Sequence, residues 1–220
     1  MPLDYQLLLL AHLLLFVYWL GGDLGVFYSS FVVVDQNRSV DARMTAARIL
    51  VALDQVPRVC LILMLPVGVS LAARLGLVAL PAGTLVAIWV AALAWLALVF
   101  SLHTSTNRAL SVIDTAVRIT LAVGAVALAA GALAGDGFTG AGWLAAKLGV
   151  FGLIVGCGLA IRRVFAPFGA AFARLANDGS SPDVEHAIRR ALARARPLVL
   201  AIWVLLIAAA WLGLAKPVLS

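Results

Sequence analysis

The residues in this sequence that could do chemistry are the few ionisable side chains set in or beside long apolar runs. His12 and Asp23 share the run that opens the chain, and Lys147 stands in a later one. Asp54 with Arg58, and Asp114 with Arg118, open two others. Neutral imidazole is the commonest metal ligand. A carboxylate or amine in an apolar setting marks an ion or proton path, and guanidinium groups hold carboxylate or phosphate. His103, in Leu-His-Thr-Ser-Thr-Asn-Arg, and Met64 add two further donors, weaker candidates than His12 for a metal.

What must position them is a bilayer. The chain is 64% hydrophobic and 12% charged, with a mean hydropathy of +1.09; soluble domains carry about 25% charged residues. Six runs reach the roughly 20 residues that a span requires, at about residues 5–34, 55–73, 81–103, 113–133, 142–161 and 197–215. The expected fold is an all-α integral membrane protein, a six-transmembrane-helix bundle forming a single domain over residues 1–220. The first run exceeds bilayer thickness, so it must tilt, break near Gly21-Gly22 or continue into water. It also lacks a basic leader, having Asp4 instead, and reads as a span rather than a cleaved signal.

The net charge of +6 does not point to nucleic acid, because the basic residues fall mostly in the connections between runs. Arg38, Arg43 and Arg48 follow the first run, Arg108 the third, and seven arginines from Arg162 to Arg196 the fifth. The alternate connections hold Arg74 in one and Asp136 without a basic residue in the other. This asymmetry predicts both termini outside the cytoplasm and membrane lipids as partners of the basic surface. The cytoplasmic connection, about 162–196, is expected to be helical. A short amphipathic helix over 165–176 closes at Asn177-Asp178-Gly179, and a second begins with Ser181 as cap and Pro182 at its first position. Cys60 and Cys157 lie in apolar runs without paired spacing and read as packing residues.

Spacing sharpens the candidates. Tyr5, His12 and Trp19 recur every seven residues, and Asp23 lies eleven beyond His12, so one stripe of the first helix carries its polar groups and should face protein. Both Asp-x-x-x-Arg strings put opposite charges one turn apart on one face. Two readings are open: local pairs that let an arginine enter the membrane neutralised, or inward-facing Arg58 and Arg118 that bind an anion such as a propionate or phosphate. Lys147 enters its span from the outside and so matches His12 in depth. Gly149, Gly152, Gly156 and Ala160 follow it as a small-residue ridge, suited to close helix approach or to a space beside a flat ligand.

A first-span histidine, the string Trp19-Leu-Gly-Gly22, a basic connection and Pro57-Arg58 at the head of the next span resemble the small helical membrane protoporphyrinogen oxidases. The Trp143-x-x-x-Lys147-Leu string is similar to that family and to copper-resistance membrane proteins of the D type. The resemblance implies haem b, with His12 as axial ligand and a functional role for Lys147. The expectation is then a haem-b membrane redox protein in a bacterial-type inner membrane, an oxidoreductase if it is an enzyme. Its sixth ligand could be Met64, or a second protomer's His12 if the chain forms a homodimer or larger membrane complex, or the position could stay open for oxygen or substrate chemistry. An ion, proton or copper transporter is the competing class, although Met64, Cys60 and Cys157 are few soft ligands for copper. A non-catalytic membrane anchor subunit is the third.

Overall fold

Apolar runs of bilayer length must satisfy their backbone polar groups internally. The computed structural model is accordingly all-helical in its regular elements over the residues it describes, 2–104, 107–135 and 141–218. The helices are α1 (Leu3–Val34), α2 (Val40–Leu53), α3 (Gln55–Arg74), α4 (Ala82–Thr104), α5 (Arg108–Ala134), α6 (Gly142–Asp178) and α7 (Pro182–Ala215). Six stretches are long and apolar enough to cross a membrane: α1, α2 with α3, α4, α5, α6 and α7. Asp136, invoked for the polarity of one connection, lies outside the described residues.

Several local expectations meet their outcome here. α1 runs unbroken through Gly21-Gly22, which leaves tilting or continuation into water. The connection after the first span is itself a helix, α2, whose cap Ser39 accepts the Ala42 N–H. Segment 165–176 is not a separate helix; it is the end of α6, which stops at Asp178 where Gly179 takes a left-handed φ of 81°. Ser181 does cap α7. That helix continues through Pro197 into the last span, so the expected two-helix connection is the joined ends of two long helices.

The spans close into a ring. α1 packs on α3, α3 on α4, α4 on α5, α5 on α6, α6 on α7, and α7 back on α1. Gly152 permits the α5–α6 approach, since a β-carbon there would stand 2.8 Å from the Ala122 carbonyl oxygen, and one at Gly149 would stand 3.2 Å from the Ala129 methyl. Gly156 has nothing within 4 Å and opens onto an apolar surface groove between the same helices. The close helix approach expected of the ridge is therefore seen at Gly149 and Gly152, and Gly156 lies open.

α6 and α7, at 37 and 34 residues, are about 50–55 Å long, well beyond a hydrocarbon core of about 30 Å. Their joined ends pack with α2 into a helical cap around Val33, Leu50, Phe168, Phe172, Leu175 and Ile188. At its centre Arg43, 2% exposed, meets Glu185 through two hydrogen bonds of 2.8 Å, and its Nε–H donates to the Val33 carbonyl at 2.8 Å. Ser180 adds a hydroxyl donor to the same carboxylate. Glu185 belongs to the Arg-rich start of α7, outside the apolar span, and its hydrogen-bonded Arg43 guanidinium holds the carboxyl down at about 2.

Breaking this pair leaves a buried charge alone. Glu185→Leu should destabilise the detergent-purified protein by about 3–5 kcal/mol, and Glu185→Leu with Arg43→Met by distinctly less; thermal unfolding of the two variants measures this. Because the folded carboxyl titrates below its ordinary value of 4.5, the pair's contribution is full above that value and disappears as pH falls towards about 2.

Candidate functional site: two polar layers within the helix ring

The stripe read on α1 faces protein. Trp19 and Asp23 are buried, and Tyr5 and His12 are half-buried, while Leu13, Leu14, Val17 and Tyr18 are exposed on the other side. Its two ionisable members belong to different layers. Eleven residues at about 1.5 Å each put His12 and Asp23 about 16 Å apart along the axis.

The first layer lies towards the end of the ring remote from the cap. Lys147 Nζ stands 3.5 Å from His12 Nε2, so tertiary packing joins residues 135 positions apart at the common depth expected of them. Gly213 of α7 makes room for the ammonium group, since a β-carbon there would lie 2.9 Å from Nζ; the imidazole edge rests on Gly68 of α3, where a β-carbon would lie 3.5 Å from Cε1 and 3.9 Å from Nδ1. His12 Nδ1 is buried without a hydrogen-bond partner among the described residues. Two full positive charges at 3.5 Å would repel by about 4–5 kcal/mol at an effective dielectric constant of about 20, so at most one of the pair is charged.

For the haem that the resemblance implies, this arrangement is a poor fit. Nε2 faces Lys147 and Nδ1 faces the Gly68 backbone, so an axial bond requires one neighbour to withdraw. Met64 packs against the apolar core that includes Cys60. Among the described residues no three His, Cys, Asp or Glu side chains gather as a metal group.

The second layer, at the cap end, is a cavity of about 440 Å³ that all seven helices line. Asp114 is its hub. The carboxylate is 1% exposed, accepts the Trp95 indole N–H at 2.8 Å, pairs with Arg118 Nε at 3.1–3.2 Å and is also bound by Arg162. Arg118 stacks over the Trp95 ring, 5.3 Å from its centroid. Asp54 and Arg58 pair as their spacing predicted, but both side chains are about one-third exposed, 34% and 37%. They face the cavity rather than the packed interior, and the expectation of burial holds for Asp114–Arg118 alone. His103 lies exposed at the cavity rim.

Two cavity residues had only a topological reading beforehand. Arg162 and Arg196 counted only as basic connection residues. Arg196 donates to the Ser30 hydroxyl and carbonyl oxygens at 3.0 Å and covers the Phe31 ring at 3.9 Å. Asp23, 8% exposed, lines the same cavity with Oδ2 buried and unpartnered. The signal for both arginines was available, because each lies within about one turn of an apolar run, where a charge needs a reason.

His12 with Lys147, and Arg58 with Arg118, thus form two sites rather than one cofactor-binding set. No family model, curated protein or solved structure matches this chain, so the geometry alone carries the functional reading.

The two Asp–Arg pairs should behave differently on disruption. Asp114→Asn strands the buried Arg118 guanidinium and should cost about 3–5 kcal/mol. Asp54→Asn removes a pair that is a third exposed and should cost about 1 kcal/mol or less. Comparative denaturation in detergent tests the ranking; equal losses would contradict it.

Proposed function

We propose that the chain is a multi-pass membrane protein that translocates an ion through the interior of its helix ring, with both termini outside the cytoplasm. The observation that carries this reading is the cavity at the cap end, which holds Asp23, Asp54, Asp114 and four arginines inside an otherwise apolar bundle. Ionisable groups at such positions are expensive and mark ion or proton pathways. The cavity volume lies within the roughly 300–1,000 Å³ of small-ligand sites. His12–Lys147 supplies a second station towards the opposite end of the ring, separated from the cavity by the packed layer around Trp19, Ile62 and Val155. Asp23 would exchange a proton or ion with the cavity, and Lys147 would pass a proton to and from His12.

A flux assay tests this. In proteoliposomes with a trapped pH-sensitive dye and the potential clamped, a step in external pH should relax at least tenfold faster than in protein-free vesicles. Asp23→Asn and Lys147→Met should each remove most of that difference. Relaxation no faster than in empty vesicles would refute the reading.

Haem b at His12 is the second reading: Nδ1 is buried without a hydrogen bond among the described residues, and it would become an axial ligand only if α3 drew back at Gly68. If it is right, protein purified from haem-sufficient cells shows a Soret band that His12→Ala abolishes and Asp23→Asn preserves. A colourless wild type rejects it.

A further inference from the structure

The charges around the cavity are not balanced, and the imbalance has an address. Its lining holds four guanidinium groups, Arg58, Arg118, Arg162 and Arg196, against three carboxylates, Asp23, Asp54 and Asp114. Asp54 is matched with Arg58. Asp114 serves Arg118 and Arg162 together. Arg196 has no carboxylate within ion-pair distance among the described residues; its hydrogen bonds go to Ser30. The positive surplus therefore lies at Arg196 and at the pair that shares Asp114. Asp23 contributes the opposite need, a buried carboxyl oxygen without a hydrogen bond among the described residues, beside the Trp19 and Trp203 indoles.

Neither a plain cation nor a plain anion meets both needs. A cation would satisfy Asp23 and face the arginines. A fully deprotonated anion would satisfy the arginines and place its oxygens against Asp23. A protonated oxyanion meets both, because its charged oxygens accept from guanidinium groups while its own O–H donates to the carboxylate.

We propose that this cavity binds a hydrogenphosphate group, free or as a phosphomonoester, with Arg118, Arg162 and Arg196 on the charged oxygens and Asp23 Oδ2 on the P–O–H. Asp23 is then the specificity determinant. At neutral pH phosphate keeps a proton that the unpartnered Asp23 Oδ2 can accept, and sulfate has none to offer. The inference deepens the translocation reading and rests on the same cavity, but equilibrium binding is a separate readout from flux. Retention of phosphate without flux leaves the site standing and removes only the transport.

The test is binding of radiolabelled inorganic phosphate to the detergent-purified full chain, with sulfate as competitor. The wild type should bind saturably, and a tenfold excess of sulfate should not displace the label. Arg162→Gln and Arg196→Gln should each weaken binding at least tenfold. Asp23→Asn, whose amide both donates and accepts, should let sulfate compete. Arg174→Gln, outside the cavity, is the control and should bind as wild type does. Size-exclusion profiles and unfolding midpoints establish that each variant is folded, and Arg196→Lys, which keeps the charge, should retain binding if Arg196→Gln is unstable. A parallel titration with short-chain phosphatidic acid separates the sources. Binding of that lipid without inorganic phosphate assigns the same chemistry to a lipid headgroup. Binding of neither, or equal binding of phosphate and sulfate by the wild type, overturns the proposal.

Discussion

Asp114 gathers an indole N–H and two guanidinium groups onto one carboxylate that is 1% exposed, and the arrangement of the ring depends on that convergence. Trp95 comes from α4, Arg118 from α5 beside Asp114 itself, and Arg162 from α6. Apolar packing in a bilayer discriminates weakly between neighbours, because lipid tails are as apolar as leucine. A buried carboxylate that needs several donors is far more selective. It fixes which faces of α4, α5 and α6 point inward, and with them which groups reach the cavity.

The same logic operates in the cap with different means. There an apolar cluster of α2, α6 and α7 side chains supplies the drive through burial. Phe165, Phe168 and Phe172 stack along α6 with ring centroids 4.3 and 5.2 Å apart in the apolar cluster that residues of α2 and α7 complete. The ion pair sets the register of this small core, and the aromatic stack sets its thickness.

How much of this was legible depended on the range of the interaction. Span positions follow from length and hydropathy, and the Asp54–Arg58 and Asp114–Arg118 pairs follow from one helical turn. The shared depth of His12 and Lys147 followed from counting residues inward from one membrane face. Arg43 was different. Its partner lies 142 residues away, and nothing local distinguishes it from Arg38 or Arg48, so it was read only as a charge that sets orientation. Arg162 and Arg196 were misjudged for the same reason. An arginine at the end of a span looks identical whether it reaches out to headgroups or back into the bundle, and only the partner's position decides. The fold of α2 was obscured by its mixed composition, which resembles a loop until the cap supplies an apolar surface for Ala46, Ala47 and Leu50 to cover.

α6 passes from the cap to the cavity as one helix, with Arg162 sixteen residues from its end at Asp178. Sixteen residues make a rod of about 24 Å. A rod of that length is a lever: a tilt of about 10° at the cap displaces its other end by about 4 Å, more than the span of a hydrogen bond. Pro167 lies between the two ends of that rod and lacks an amide hydrogen, so a bend there absorbs part of such a tilt. A partner or lipid surface that pressed on the cap would therefore move the Arg162 guanidinium relative to Asp114 without touching the membrane interior.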